Sequence, residues 1–286
     1  MEISDLKIFL AVADEGGFTA AARKVHCVQP NVTSRIKKLE ERLGVQLFYR
    51  NPRSVGLTPH GRQFYQHAER IVRLSREAVQ AFQDDQPWGP LSIGITQTVA
   101  SGYLPDILRP YHSRYPEVEL TVKTLTDAMV PEALLNHGLD CALVEIPFNH
   151  PDLLTLSSWD QDLVVVSAPD YPLEREGGVT ALVFSSTCPY RLAMVAAFRR
   201  EKISVARQLK LYNVDAILAC AMGGVGVSVL PRRLVEREHI APYVRVRPVD
   251  PADGTATIRL IRHRESIETQ PARLFCEEVD RLMGSL

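Results

Sequence analysis

The chain has no cysteine framework. Its five cysteines, Cys27, Cys141, Cys188, Cys220 and Cys276, are odd in number, scattered, never spaced as C-x-x-C and not accompanied by a histidine cluster. This pattern excludes a disulfide-stapled scaffold, gives no metal site, and points to a reducing compartment. Long apolar runs are missing as well. No stretch approaches the ~20 residues that span a bilayer, and the opening Met-Glu-Ile-Ser-Asp-Leu-Lys has no apolar signal-peptide segment. A cytoplasmic protein with no membrane partner is expected. No sign of charge dominates, since the formal net charge is −1, which argues against a general nucleic-acid binder. G-x-S-x-G, H-E-x-x-H and P-loop motifs are all absent, so no catalytic residues, cofactor or metal are expected.

What is present is unevenly distributed. At 286 residues, 45% hydrophobic and 23% charged, the chain has material for more than one domain with a real core. Between Arg23 and Arg62 nine Lys or Arg face two acids, a local balance of +7, whereas residues 88–286 carry 20 Lys or Arg and 24 acids. A basic segment joined to a mildly acidic body fits a DNA-binding head on a domain that binds something else.

Within the head, Leu6, Phe9, Leu10 and Ala13 recur at helical spacing and stop at Gly16-Gly17. Thr19 is the expected N-cap of a second, alanine-rich helix reaching about Val25, and His26-Cys27-Val28 forms a turn. A third helix is predicted over 29–43, ended by Gly44, with Pro30 tolerated in its first turn. Val32, Ile36, Leu39 and Leu43 form its buried stripe, and the opposite face carries Gln29, Asn31, Thr33, Ser34, Arg35, Lys37 and Lys38. Gln, Asn and Arg suit bidentate bonds to base edges in the major groove, and the lysines one turn on suit phosphates. Two short apolar runs around Asn51-Pro52 form a hairpin, with Arg53 at the tip of a wing. The head is therefore expected to be a winged helix-turn-helix over 1–58 that binds double-stranded DNA.

Thr58-Pro59 then starts a long helix. Phe64, Ala68, Ile71, Ser75, Ala78 and Phe82 recur at alternating spacings of four and three, the 3.5-residue repeat of a helix that pairs with another helix. Such a rod is roughly 40 Å long, and a dimer built on 59–86 would present two recognition helices to two half-sites. Asp84 to Pro90 breaks it, closing a linker over 59–90.

From 91 onward strands and helices alternate. Strands are predicted over 91–95, 118–123, 140–144, 163–167, 182–185, 205–211, 227–230 and 257–262, with helices over 103–115, 130–137, 190–200, 215–222 and 271–283. This alternation predicts a parallel α/β sheet, repeated twice. Gly223-Gly224-Val225-Gly226 follows a helix and precedes a strand, the reverse of a dinucleotide fingerprint, and reads as a tight turn.

Residues 1–60 resemble the N-terminal domain of LysR-type transcriptional regulators. The segments that carry the resemblance are Phe18-Thr19-Ala20-Ala21-Ala22, Gln29-Pro30, Ser34-Arg35, Leu39-Glu40, Leu43-Gly44-Val45, Leu47-Phe48 and Leu57-Thr58-Pro59-His60-Gly61. The resemblance implies that Gln29, Pro30, Thr33, Arg35 and Arg53 approach DNA and that the linker helix dimerises. One position departs: Val28 stands where the family usually has a serine able to cap the recognition helix. The body resembles the family's effector domain, itself similar to periplasmic binding proteins, through Leu104-Pro105, Tyr115-Pro116, Gly138-Leu139-Asp140, Gly224-Val225-Gly226 and Leu230-Pro231. That implies an effector domain over 91–286, with one subdomain over 91–163 and 264–286, another over 164–263, and a small effector between them. Dimers or tetramers and contact with RNA polymerase follow from the same resemblance.

Ligands of open α/β sheets sit beyond the carboxyl ends of strands, often at helix N-termini. Three loops qualify: Thr96, Gln97 and Thr98 with Ser101; Thr126 with Asp127; and Thr187 to Arg191, including Cys188. Hydroxyls and helix N-termini suit an anion, and Arg191 would pair its carboxylate. Two other readings remain at this point. Cys188 beside Arg191 would serve as a thiol-based redox sensor, or the body would be an α/β enzyme, for which no nucleophile and base are found.

Overall fold

The computed structural model describes residues 1–51, 54–80, 87–174, 176–184, 188–266 and 268–285. The expected wing tip at Arg53, the seam position Phe82, the linker break at 84–86 and Thr187 lie outside these residues.

The head is built on α1 (Ile3–Glu15), α2 (Phe18–Lys24) and α3 (Gln29–Leu43). A capping box between Glu2 and Asp5 starts α1, and its buried face is Leu6, Ile8, Phe9, Ala11 and Val12. Helix α2 is capped by Gly17 and not by Thr19. Extended backbone at Gly17 starts the helix two residues earlier, which leaves Thr19 to donate to the Gln29 side chain at 3.0 Å. Helix α3 ends on the left-handed Gly44, whose N–H bonds the Glu40 carbonyl at 2.9 Å. Val32, Ile36 and Leu39 are buried as predicted, but Leu43 is exposed. Glu40 is buried instead, because its carboxylate accepts the N–H groups of Leu47 and Phe48 at the start of the wing. The wing itself is β1 (Phe48–Asn51) paired antiparallel with β2 (Ser54–Leu57).

Thr58 caps α4 (Pro59–Gln80) through its hydroxyl, 2.9 Å from the Gly61 N–H. Gly61 is required here: a Cβ would lie 2.0 Å from the Leu47 carbonyl oxygen. Phe9 packs on Phe48 and Phe64 with ring centroids 5.2 and 5.0 Å apart, which docks α4 on the head. Full burial of Phe9 and Phe48 contributes roughly 1.5–3 kcal/mol each.

The first lobe of the body contains β3 (Gly89–Ile95), α5 (Gln97–Arg114), β4 (Val118–Thr124), α6 (Val130–Leu135), β5 (Cys141–Val144) and β6 (Leu153–Gln161). The second contains β7 (Leu163–Ser167), β8 (Val179–Val183), α7 (Pro189–Arg200), β9 (Val205–Lys210), α8 (Val214–Met222), β10 (Ser228–Pro231), α9 (Arg232–Val235) and β11 (Arg245–Pro248). The chain then returns through β12 (Ala256–His263) and α10 (Gln270–Met283) to complete the first lobe. Helix α5 begins six residues before the prediction, at the end of β3, and carries Pro105 and Pro110 inside it.

The sheets are mixed, not parallel throughout. The first has the order β4-β3-β5-β12-β6, with β3 parallel to β4 and β5, and β12 antiparallel to β5 and β6. In the second lobe β7 lies antiparallel between β10 and β11, while β8 and β9 are parallel. A bridge from Ala181 to Val227 joins these two groups. In the first sheet the antiparallel pairing joins the crossover strands: β6 leaves the first lobe and β12 re-enters it. The expected return at 264 therefore falls earlier, because β12 pairs along its whole length with β6. Helices cover both faces of each sheet, α5 and α10 opposite α6 in the first lobe and α7 opposite α8 in the second.

Candidate nucleic-acid interface and effector cleft

The outer face of α3 is a polar and basic surface. Gln29, Pro30, Asn31, Ser34, Lys37 and Lys38 are exposed and Thr33 is half-buried. Two of these side chains are held locally: Gln29 accepts from Thr19, and the Asn31 amide donates to the Cys27 sulfur at 3.8 Å. Arg35 differs from the rest. Its guanidinium donates to Ser4 Oγ at 2.7 Å and to Asp5 Oδ1 at 3.1 Å, which ties α3 to the start of α1. Lys37 is 3.7 Å from Glu41 one turn on, an exposed pair worth a few tenths of a kcal/mol. Val28 occupies the N-cap position in extended backbone, makes no side-chain cap bond, and is 69% exposed.

A cleft of about 290 Å³ opens between the lobes. Thr96, Gln97 and Thr98 at the start of α5, Thr126 and Asp127 after β4, and Cys188 at the start of α7 line it. Ser101 and Arg191 do not. Ser101 lies a turn further along α5, and Arg191 donates to the Gln208 side chain at 3.3 Å beside an exposed face of α7. The cation expected to meet an anionic effector is therefore absent from the lining.

The cleft instead contains an acid that the sequence reading passed over. Glu145 follows β5 directly and is only 5% exposed. Its carboxylate accepts from Thr96 Oγ1 at 3.2 Å and from the Gln161 amide at 3.3 Å, and it also bonds the Thr98 side chain. Burial pushes its pKa up to about 7, with Asp127 adding to the rise. Asp127 is raised by burial as well, and its Oδ1 is buried without a hydrogen-bond partner among the described residues. Leu125, Ile146, Phe184, Pro189 and Tyr212 supply apolar surface.

The residues 3–62 match the family model described as a bacterial regulatory helix-turn-helix protein of the lysR family, and 84–284 match the LysR substrate binding domain. The chain belongs to the LysR family. Its relatives there include the HTH-type transcriptional regulator YusT of Bacillus subtilis, whose own function is uncharacterised, 32% identical over 97% of this chain and 95% of that protein. Among solved structures, a full-length OxyR variant from Pseudomonas aeruginosa is similar over 99% of this chain and 94% of that one, with a TM-score of 0.74 and 23% identity. CbnR in complex with its target DNA is similar over 98% and 99%, with a TM-score of 0.65 and 24% identity. The protein is thus a LysR-type DNA-binding transcriptional regulator with an effector-binding domain, and not an enzyme.

This LysR effector domain gives no support to a reactive thiol at Cys188. Burial raises the Cys188 pKa strongly, and Glu145 raises it further, so the sulfur stays protonated. Cys188 and Cys220 also pack against different cores of the second lobe, which separates the sensor from its nearest resolving candidate. A signal for Glu145 did exist in the sequence. The pattern over 140–144 predicts a strand, and ligands of open α/β sheets sit just beyond a strand's carboxyl end, where Glu145 stands.

Proposed function

We propose that the exposed face of α3 enters the major groove of one half-site, with Gln29, Pro30, Asn31, Thr33 and Ser34 toward the bases and Lys37 and Lys38 on phosphates. Arg53 in the wing reaches the backbone or minor groove alongside. Arg35 reaches a base only by exchanging Ser4 and Asp5, so in free protein it sets the angle between α3 and α1. The observation that carries this reading is the polar outer face of α3 opposite the buried Val32, Ile36 and Leu39.

Pairing of α4 helices joins two heads into a dimer, and two dimers form a tetramer. Ile71, Leu74 and Ala78 support the pairing: they lie exposed at spacings of three and four on the part of α4 beyond the head. A small effector in the cleft, lined by Thr96, Gln97, Thr98, Thr126, Asp127 and Cys188, changes the angle between the lobes. Arg73 of α4 meets Asp140 of the first lobe at 3.3 Å and gives that change a path to the rod. The protein acts in the cytoplasm, where its DNA is, and RNA polymerase is a further partner. Footprinting on the region upstream of its own gene tests the reading. Two protected half-sites separated by whole turns of the duplex are expected, and one undivided patch without symmetry would overturn it.

A further inference from the structure

Among the described residues, the lining of the cleft contains two carboxylates, Asp127 and Glu145, and no Lys, Arg or His. The N-termini of α5 and α7 also open there and would favour an anion, each with about +0.5 of a charge. At α5, however, that place is taken by the chain itself, because the Glu145 carboxylate already accepts from Thr96 and Thr98 at the start of the helix. A second anion would meet Asp127, and Glu145 once it ionises near pH 7, with no cation among the described lining residues to offset them. Arg259 comes close only from behind, where it donates to the Glu145 backbone carbonyl at 3.1 Å. Backbone N–H groups of Glu145 and Ile146 hold the Asp127 carboxylate, but its Oδ1 has no hydrogen-bond partner among the described residues and calls for a donor.

We propose that the cleft takes a small organic cation, a protonated amine or amidine on a compact apolar body, with its nitrogen between Asp127 and Glu145. The inference rests on the effector reading given above. The cavity of about 290 Å³ lies at the small end of ligand sites. Phe184, Ile146, Leu125 and Tyr212 supply the apolar surface that receives the body of the ligand. The site is also wired to the hinge. Gln161, the last residue of the crossover strand β6, donates to Glu145 at 3.3 Å and to the Tyr190 hydroxyl of the second lobe at 3.5 Å, while Tyr103 of the first lobe donates to Gln161 at 3.4 Å. A cation that draws the Glu145 carboxylate toward itself loosens the hold on Gln161, and the lobes shift.

The test is calorimetric titration of the full chain with phenethylamine and benzamidine and, in parallel, with 3-phenylpropionate and benzoate. The amine and the amidine are expected to bind and the two carboxylates not. Glu145→Gln should weaken the cations about 10- to 100-fold, the loss expected for a hydrogen bond to a charged group. Asp127→Asn, at a half-buried position, tests the same pairing should Glu145→Gln fail to fold. Binding of the carboxylates in preference, binding of neither class at millimolar concentration, or cation binding unchanged in both variants would each overturn the proposal. Binding of ligand-free protein to its upstream DNA is measured separately, so failure of the cation leaves the regulator reading intact.

Discussion

Individual side chains decide how firmly the recognition helix is held. Val28 leaves the first N–H groups of α3 without a side-chain cap, and its backbone is already extended as a cap residue requires. Val28→Ser should therefore stabilise the chain by about 0.5–2 kcal/mol, visible as a higher melting temperature. A lower one would mean that the apolar side chain has a packing role. Gly61→Ala should destabilise by about 1–3 kcal/mol, the range for overpacking, since its Cβ would meet backbone at the start of α4. Unchanged melting would remove the claim of close approach. At Glu145 the folded-state pKa, about 7, lies above the ordinary value of 4.5. The native state therefore holds the extra proton, and stability is lost as pH rises through that interval, by about 3 kcal/mol for this group. Melting curves of wild type and Glu145→Gln should lie closest below pH ~4.5, diverge between pH ~4.5 and ~7 and keep a constant offset above that, with the variant less pH-dependent. Parallel curves across the range would show that Glu145 is not buried as a protonated acid. The cleft was half legible at this scale. Thr96, Asp127 and Cys188 follow from strand ends and helix starts, whereas Arg191, in the same helix-start loop as Cys188, turns to a local partner in Gln208 and stays out of the lining.

At the scale of elements, the helices of the head were the most legible because spacing, glycine stops and the Thr58-Pro59 start agree with one another. Helix α5 was not. Pro105 looked like a first-turn proline, yet the helix starts at Gln97 and accommodates both prolines in its interior. The seam of α4 is divided in a way that periodicity alone does not show. Phe64 and Ala68 pack into the core of their own head, whereas Ile71 and Ala78 are exposed and Ser75 is half-buried. Among the described residues, this leaves the part of the rod beyond Ala68 for the proposed pairing. Leu74→Glu should accordingly convert the dimer to monomer in sedimentation experiments, with little change in melting of the head. A dimer that survives it would place the interface elsewhere.

At the scale of the whole molecule, the division into a basic head and an acidic body was visible in charge alone. The mixed sheets were not. Strand β6 alternates half-buried and polar residues, including Ser157, Ser158 and Asp160, and so does not present the continuous apolar run of the other strands. It is stabilised mainly by its long antiparallel pairing with β12, a contact about a hundred residues away in sequence. The same charge division predicts how the protein meets DNA. Affinity should fall steeply with salt, and Lys38→Ala should reduce the logarithmic salt slope by about 1 per protomer, equally on all sequences. The central claim is that α3 reads sequence. Its most direct test is a competition mobility shift with wild type and Gln29→Ala on the native upstream region against random duplex at fixed salt. The account predicts that wild type prefers its own site by ~10³-fold or more. It predicts that Gln29→Ala loses much of that preference while its affinity for random DNA stays the same. Equal preference in the two proteins, or none in wild type, would contradict it.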